Sequence, residues 1–191
     1  MKKTMLSLAV ISSLFSGAAM AAGADNDSSY ATLNFSGRVT SNLCQVSTEN
    51  TTTDINLGEV TVSQIREGTY KPQSFVVTLN NCDTTTNSIT YTIADKNGSA
   101  GATAQYLEPE SNDTSATGVG VYVEKSDATP ITIGSEESLD VQKDESGALP
   151  QQSIALRAYI KEKADKASVI GGTVNASATM TIKTATATAG V

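Results

Sequence analysis

Apolar and polar residues alternate one for one along most of this chain, and that period of two constrains the fold more than any other feature. Ala31, Leu33, Phe35, Gly37 and Val39 share one face against Thr32, Asn34, Ser36 and Arg38. The same beat returns at Ile55 and Leu57, at Phe75, Val77 and Leu79, and at Ile89, Tyr91 and Ile93. It continues at Val119, Val121 and Val123, at Ile154, Leu156, Ala158 and Ile160, and at Val174, Ala176, Ala178, Met180 and Ile182. Successive side chains of a strand point to opposite faces, so each run predicts an antiparallel strand buried on one side. Turn-rich clusters at 95–98, 109–117, 144–150 and 171–172 separate the runs. Only 62–66 and 161–167 are candidates for helix. The second carries charge all round, which suits a solvated loop or a single turn. Many short strands without a strand–helix–strand rhythm predict a single β-sandwich domain.

The first residues read differently. Lys2 and Lys3 precede an apolar run from 5 to 15, and Ala19-Met20-Ala21 fits a small-x-small cleavage site. This pattern is expected of a secretory signal over 1–21, with cleavage after Ala21 or, alternatively, Ala22; a membrane-spanning helix would need a longer run. Removing Lys2 and Lys3 takes the formal charge from −7 to about −9. So acidic a surface disfavours nucleic acid and anionic lipid as partners. The two cysteines, Cys44 and Cys82, most simply pair in an exported chain. Closing their loop of roughly 39 residues would remove about 4 kcal/mol of unfolded-state entropy.

The search for catalytic chemistry comes back nearly empty. The chain has no histidine and no tryptophan, so it carries no Ser-His-Asp or Cys-His arrangement and no imidazole metal site. Carboxylate pairs at Glu108/Glu110, Glu136/Glu137 and Asp144/Glu145 sit in polar stretches, where solvated charge is the default and acid–base work needs burial. Asp25 and Asp27 lack the spacing and the glycine of a calcium loop. Asn97-Gly98-Ser99 is a chance glycosylation triplet outside a eukaryotic secretory path. The expectation is a chain without catalytic, cofactor or metal residues.

Several stretches resemble one family. Phe35-x-Gly37-x-Val39 leads to Cys44, and Ile55-Asn56-Leu57-Gly58-Glu59-Val60 follows. Phe75-Val76-Val77-Thr78-Leu79-x-x-Cys82 comes next, and then Ala116-Thr117-Gly118-Val119-Gly120-Val121. Ile154-Ala155-Leu156-Arg157-Ala158-Tyr159 and the closing stretch from Gly172 to Ile182 complete the set. In this order, with this cysteine spacing, they resemble chaperone–usher fimbrial subunits of the type 1 pilin-like family across nearly the whole chain after 21. The resemblance implies an all-β fold: an incomplete immunoglobulin-like sandwich with one disulfide, completed by a donor strand from another molecule. It divides the chain into a signal peptide (1–21), an N-terminal extension or donor strand (22–35) and a pilin domain (36–191). In that reading Ala31, Leu33 and Phe35 of the extension point inward, and Val174, Ala176, Ala178, Met180 and Ile182 edge the groove and pair with the chaperone. Ala31 stands where the family usually has glycine, Thr184 where it has tyrosine, and an atypical tail runs over 185–191.

The function implied is a structural subunit of a bacterial fimbria, without enzymatic activity, polymerised by donor-strand exchange and supporting cell adhesion. Its implied partners are a periplasmic chaperone, an outer-membrane usher, and other fimbrial subunits joined head to tail; a host or abiotic surface is a further one. Export through the periplasm to an extracellular fimbrium follows. The alternative is a minor or tip-associated subunit or adhesin binding a host glycan. Adhesins of the family typically carry an added N-terminal lectin domain, for which the motif positions leave no room.

Overall fold

The computed structural model describes residues 44–98, 103–163 and 168–186. These all fall within one unit of the chain; the unit Met1–Val39 lies outside the described residues. The expected signal segment, the donor residues Ala31, Leu33 and Phe35, and residues 187–191 of the expected tail therefore lie outside them as well, whereas Ala185 and Thr186 of that tail belong to the last strand.

Among the described residues nine strands carry the fold: β1 (Gln45–Val46), β2 (Gln73–Asn80), β3 (Thr86–Asp95), β4 (Val119–Lys125), β5 (Glu136–Leu139), β6 (Lys143–Asp144), β7 (Gly147–Ala148), β8 (Gln152–Glu162) and β9 (Ala178–Thr186). One short helix, α1 (Val62–Glu67), and a 3-10 turn at Thr48–Asn50 are the helical elements among the described residues. The strands form a four-stranded sheet in the order β1-β2-β8-β4, a three-stranded sheet in the order β5-β3-β9 and a β6-β7 hairpin. Every ladder is antiparallel. This is an all-β fold.

The alternation decides which residues meet between the sheets. Val77 and Leu79 of β2, Val121 and Val123 of β4, and Ile154, Leu156 and Ala158 of β8 share one core with Ile89, Tyr91 and Ile93 of β3. Leu107, Ile131 and Ile133 join it from the segment between β3 and β5. Cys44 and Cys82 are disulfide-bonded and buried at the edge of this core, tying the start of β1 to the end of β2. The outer face of the larger sheet is shielded too. Tyr70 stacks on Tyr159 with centroids 4.3 Å apart, Tyr159 on Tyr122 at 5.8 Å, and Tyr106 tilts against Tyr122 at 5.5 Å. Beside this ladder Glu124, buried, pairs with Arg157 at 2.7 Å.

Some expectations need correction. Ile55 and Leu57 alternate but form no strand: Asn56 Oδ1 accepts from the Gly58 N–H at 2.8 Å, and Gly58 takes φ +72°. An Asx turn thus competes with the ladder and prevails. Val174 and Ala176 precede β9 instead of belonging to it, because the backbone around them bonds elsewhere: Asn175 O accepts from Glu110 N–H, and Thr173 O from Ala116 N–H. Lys161 and Glu162 close β8. Glu136 and Glu137 open β5 and pair with Lys183 and Lys125 rather than lying in a loop.

Candidate functional site: an open groove beside the last strand

β9 pairs with β3 along one edge, and its other edge has no ladder partner among the described residues. Along that free edge runs an elongated groove of about 1360 Å³. Its floor is the inward face of the larger sheet: Phe75 and Val77, Val121 and Val123, Leu156 and Ala158. One wall is the chain from Val174 to Ile182, and the opposite wall is the irregular stretch from Asn50 to Val62. Asp54, Glu59 and Lys96 are the charged residues lining it. An extended wall from 174 to 182 spans about 27 Å at roughly 3.3 Å per residue.

Local chemistry explains each part. α1 closes one end and is bounded at both of its own: Thr61 and Gln64 form a capping box that starts it, and Gly68 ends it in the left-handed region at φ +69°. Its Ile65 packs with Val119, Ile160 and Val169 in a second, smaller apolar cluster. The β9 wall alternates, so Met180 and Ile182 lean inward while Thr181 and Lys183 face water. All five wall residues named from the sequence, Val174, Ala176, Ala178, Met180 and Ile182, line the groove. Val174, Ala176, Met180 and Ile182 pack against the core yet remain half-buried, and Ala178 is exposed. Sequence reasoning missed the opposite wall and the end cluster around Ile65 and Val169. Those residues come from turns and a six-residue helix, where a period of two has nothing to mark.

A strand edge offers unpaired N–H and C=O groups, and the apolar trough beside it takes alternate side chains. No group of three or more acidic or cysteine side chains placed to hold a metal ion occurs among the described residues. The titratable groups that shift lie away from the groove floor. Burial pushes the Tyr159 hydroxyl up to about 12. Burial likewise raises Tyr91. A hydrogen bond to Glu137 raises Lys125.

Comparison with known proteins gives a consistent set. Residues 33–184 match the model of the family described as "Fimbrial protein". The chain is 49% identical over 190 residues to fimbrial protein 987P of Escherichia coli, covering 97% of each chain. It is 28% identical to the major fimbrial subunit of Haemophilus influenzae, covering 78% of this chain and 74% of that one. Among solved structures, the P pilus rod subunit PapA superposes with a TM-score of 0.58 at 18% identity, over 75% of this chain and 99% of that chain. A subunit from the structure of a chaperone–usher pilus gives a TM-score of 0.60 at 18% identity, over 81% and 95%. At that identity the two structures speak for the fold alone.

Proposed function

The chain belongs to the fimbrial protein family, and we propose, from that premise, that its subunits join by donor-strand exchange through the groove beside β9. It is a structural subunit of a fimbria and not an enzyme, works at the cell surface, and polymerises with other subunits. The proposed step is the way it does so. The segment 22–35 of one copy lies along the free edge of β9 in the next, with Ala31, Leu33 and Phe35 turned into the trough. Main-chain hydrogen bonds complete the ladder, and the alternate side chains bury against Phe75, Val121 and Leu156. Each large apolar side chain so covered contributes roughly 1.5–3 kcal/mol. Because donor and acceptor are different surfaces, the contact is heterologous and repeats into an open filament.

The observation that carries this reading is the coincidence of a strand edge without a ladder partner among the described residues and an apolar trough beside it. Left bare, such an edge pairs with whatever strand it meets. A periplasmic chaperone that lends a strand before the subunit reaches an outer-membrane usher answers that hazard, and the assembled fibre supports adhesion. The test is co-expression with the cognate chaperone and usher. Heat-sensitive ladders of multimers are expected, and deletion of 22–35 should remove every band above the monomer. Ladders that persist after the deletion would show that another segment is the donor.

A further inference from the structure

Asn97-Gly98 is the one Asn-Gly dipeptide in the chain, and both residues are exposed at the end of β3. We propose that Asn97 is a self-modifying site whose deamidation loosens the groove wall; the second half of this inference rests on the donor-strand reading above. The chemistry is balanced without a co-reactant other than water. The Gly98 backbone nitrogen attacks the Asn97 side-chain carbonyl carbon, the new N–C bond forms, and the C–Nδ2 bond breaks. Ammonia leaves with the proton given up by Gly98, closing a succinimide. Water then opens the ring to aspartate or isoaspartate. Glycine is what exposes the attacking nitrogen, since no Cβ stands over it. The fold also selects for glycine here: a Cβ on Gly98 would lie 2.7 Å from Asp95 Oδ2. That oxygen cannot readily give way, because it accepts from the Glu108 N–H at 2.7 Å.

The consequence follows from what Asn97 holds. Its Nδ2 donates to the Glu108 carbonyl at 3.0 Å. A carboxylate has no proton to donate, and would set a negative charge against that carbonyl and beside Asp95. The strap it secures reaches the groove. Two residues on, Glu110 N–H donates to Asn175 O at 2.7 Å, while Lys96 N–H donates to Ser177 O at 3.0 Å. Lys96, Asn175 and Ser177 line the trough. Deamidation therefore cuts one of the ties that hold the wall in place for an incoming strand.

The test ages the purified full chain in mildly alkaline buffer and follows each asparagine-containing peptide by mass. A gain of about 1 Da is expected at Asn97, with isoaspartate detected there by enzymatic methylation. It should accumulate at least about tenfold faster than at Asn56 or Asn112, whose following residues carry a Cβ. Equal rates at the three sites would overturn the modification. Binding of a synthetic 22–39 peptide is then compared for the fresh chain, the aged chain separated by charge, and Asn97→Asp. An affinity loss of about three- to tenfold is expected in both altered forms, roughly the worth of one hydrogen bond, and a smaller loss in Asn97→Ala. Unchanged affinity in the aged chain and in Asn97→Asp would overturn the coupling to the groove. If the fresh chain itself ignores the peptide, the donor-strand reading and the coupling built on it both fail, whereas the mass result still decides the modification.

Discussion

At the scale of single residues, close approach explains two glycines that the strand pattern alone would leave arbitrary. A Cβ on Gly120 would fall 2.5 Å from the Tyr106 ring, which lies across that point of β4. A Cβ on Gly172 would meet the backbone of Ala116 and Thr114 at 2.5 Å. Rings can tilt, whereas a backbone locked by the Thr173–Thr114 and Ala116–Thr173 hydrogen bonds cannot. Gly120→Ala should therefore cost about 1–3 kcal/mol, the usual range for overpacking, and Gly172→Ala more than that. Urea midpoints of the two variants test the order; the reverse order would show that the 114–116 segment yields more easily than the tyrosine ladder. The same ladder sets the alkaline limit. Tyr159 holds its proton up to about 12 in the folded chain because burial disfavours the tyrosinate, against about 10 when unfolded. The folded state thus binds the proton more tightly between those values, so stability is fully present below about pH 10 and falls as pH rises through 12. Tyrosinate absorbance should show late titration from both Tyr159 and Tyr91, and Tyr159→Phe should remove one of these late groups. If absorbance instead rises for all tyrosines together near 10, while circular dichroism remains native, Tyr159 is not shielded.

Elements were legible in proportion to how far their neighbours follow the same rule. β2, β3, β4, β8 and β9 could be read from alternation because each pairs with a strand that also alternates, so sequence period and ladder agree. The 55–57 stretch shows the rule failing: its period is right, but Asn56 and Gly58 turn the chain before a ladder can form. β5 fails in the other direction, since Glu136 and Glu137 mask a strand that pairs with β3, packs Leu139 against the core and adds ion pairs to Lys183 and Lys125. For the groove, the β9 wall was readable and the opposite wall was not, because the latter is built from backbone irregularity. The disulfide is the strongest statement the sequence makes about any single link between elements. Replacing Cys44 and Cys82 by serine should cost about 2–5 kcal/mol with the sheets retained, measured as a lower denaturation midpoint beside an unchanged far-ultraviolet spectrum. A loss under about 1 kcal/mol would mean that Val46–Leu79 pairing and the bond from Ser47 N–H to Thr78 O already hold β1 in place.

For the molecule as a whole, the proposed donor segment and the groove are different parts of one chain, so the two halves of assembly can be broken separately. Ala178 is the position to use. It is exposed, so the chain's own core does not depend on it, yet it lines the groove at the first residue of β9. Ala178→Arg should leave the unfolding midpoint of the subunit within about 0.5 kcal/mol of the parent, as surface changes do. It should weaken 22–39 peptide binding at least about tenfold, equivalent to 1.4 kcal/mol, because an unpaired guanidinium must be desolvated as the strand seats. The variant keeps its own 22–35 segment, so it can still insert into a normal neighbour while offering nothing to the next. In a head-to-tail filament such a subunit is a terminator. Mixed with the parent at a few per cent, it should shorten fibres by a factor that grows with its fraction, read as length distributions in electron micrographs. Fibres of unchanged length that merely exclude the variant would mean that donation also needs an intact groove. Fibres of unchanged length that incorporate it would mean that subunits are joined by some surface other than the edge of β9.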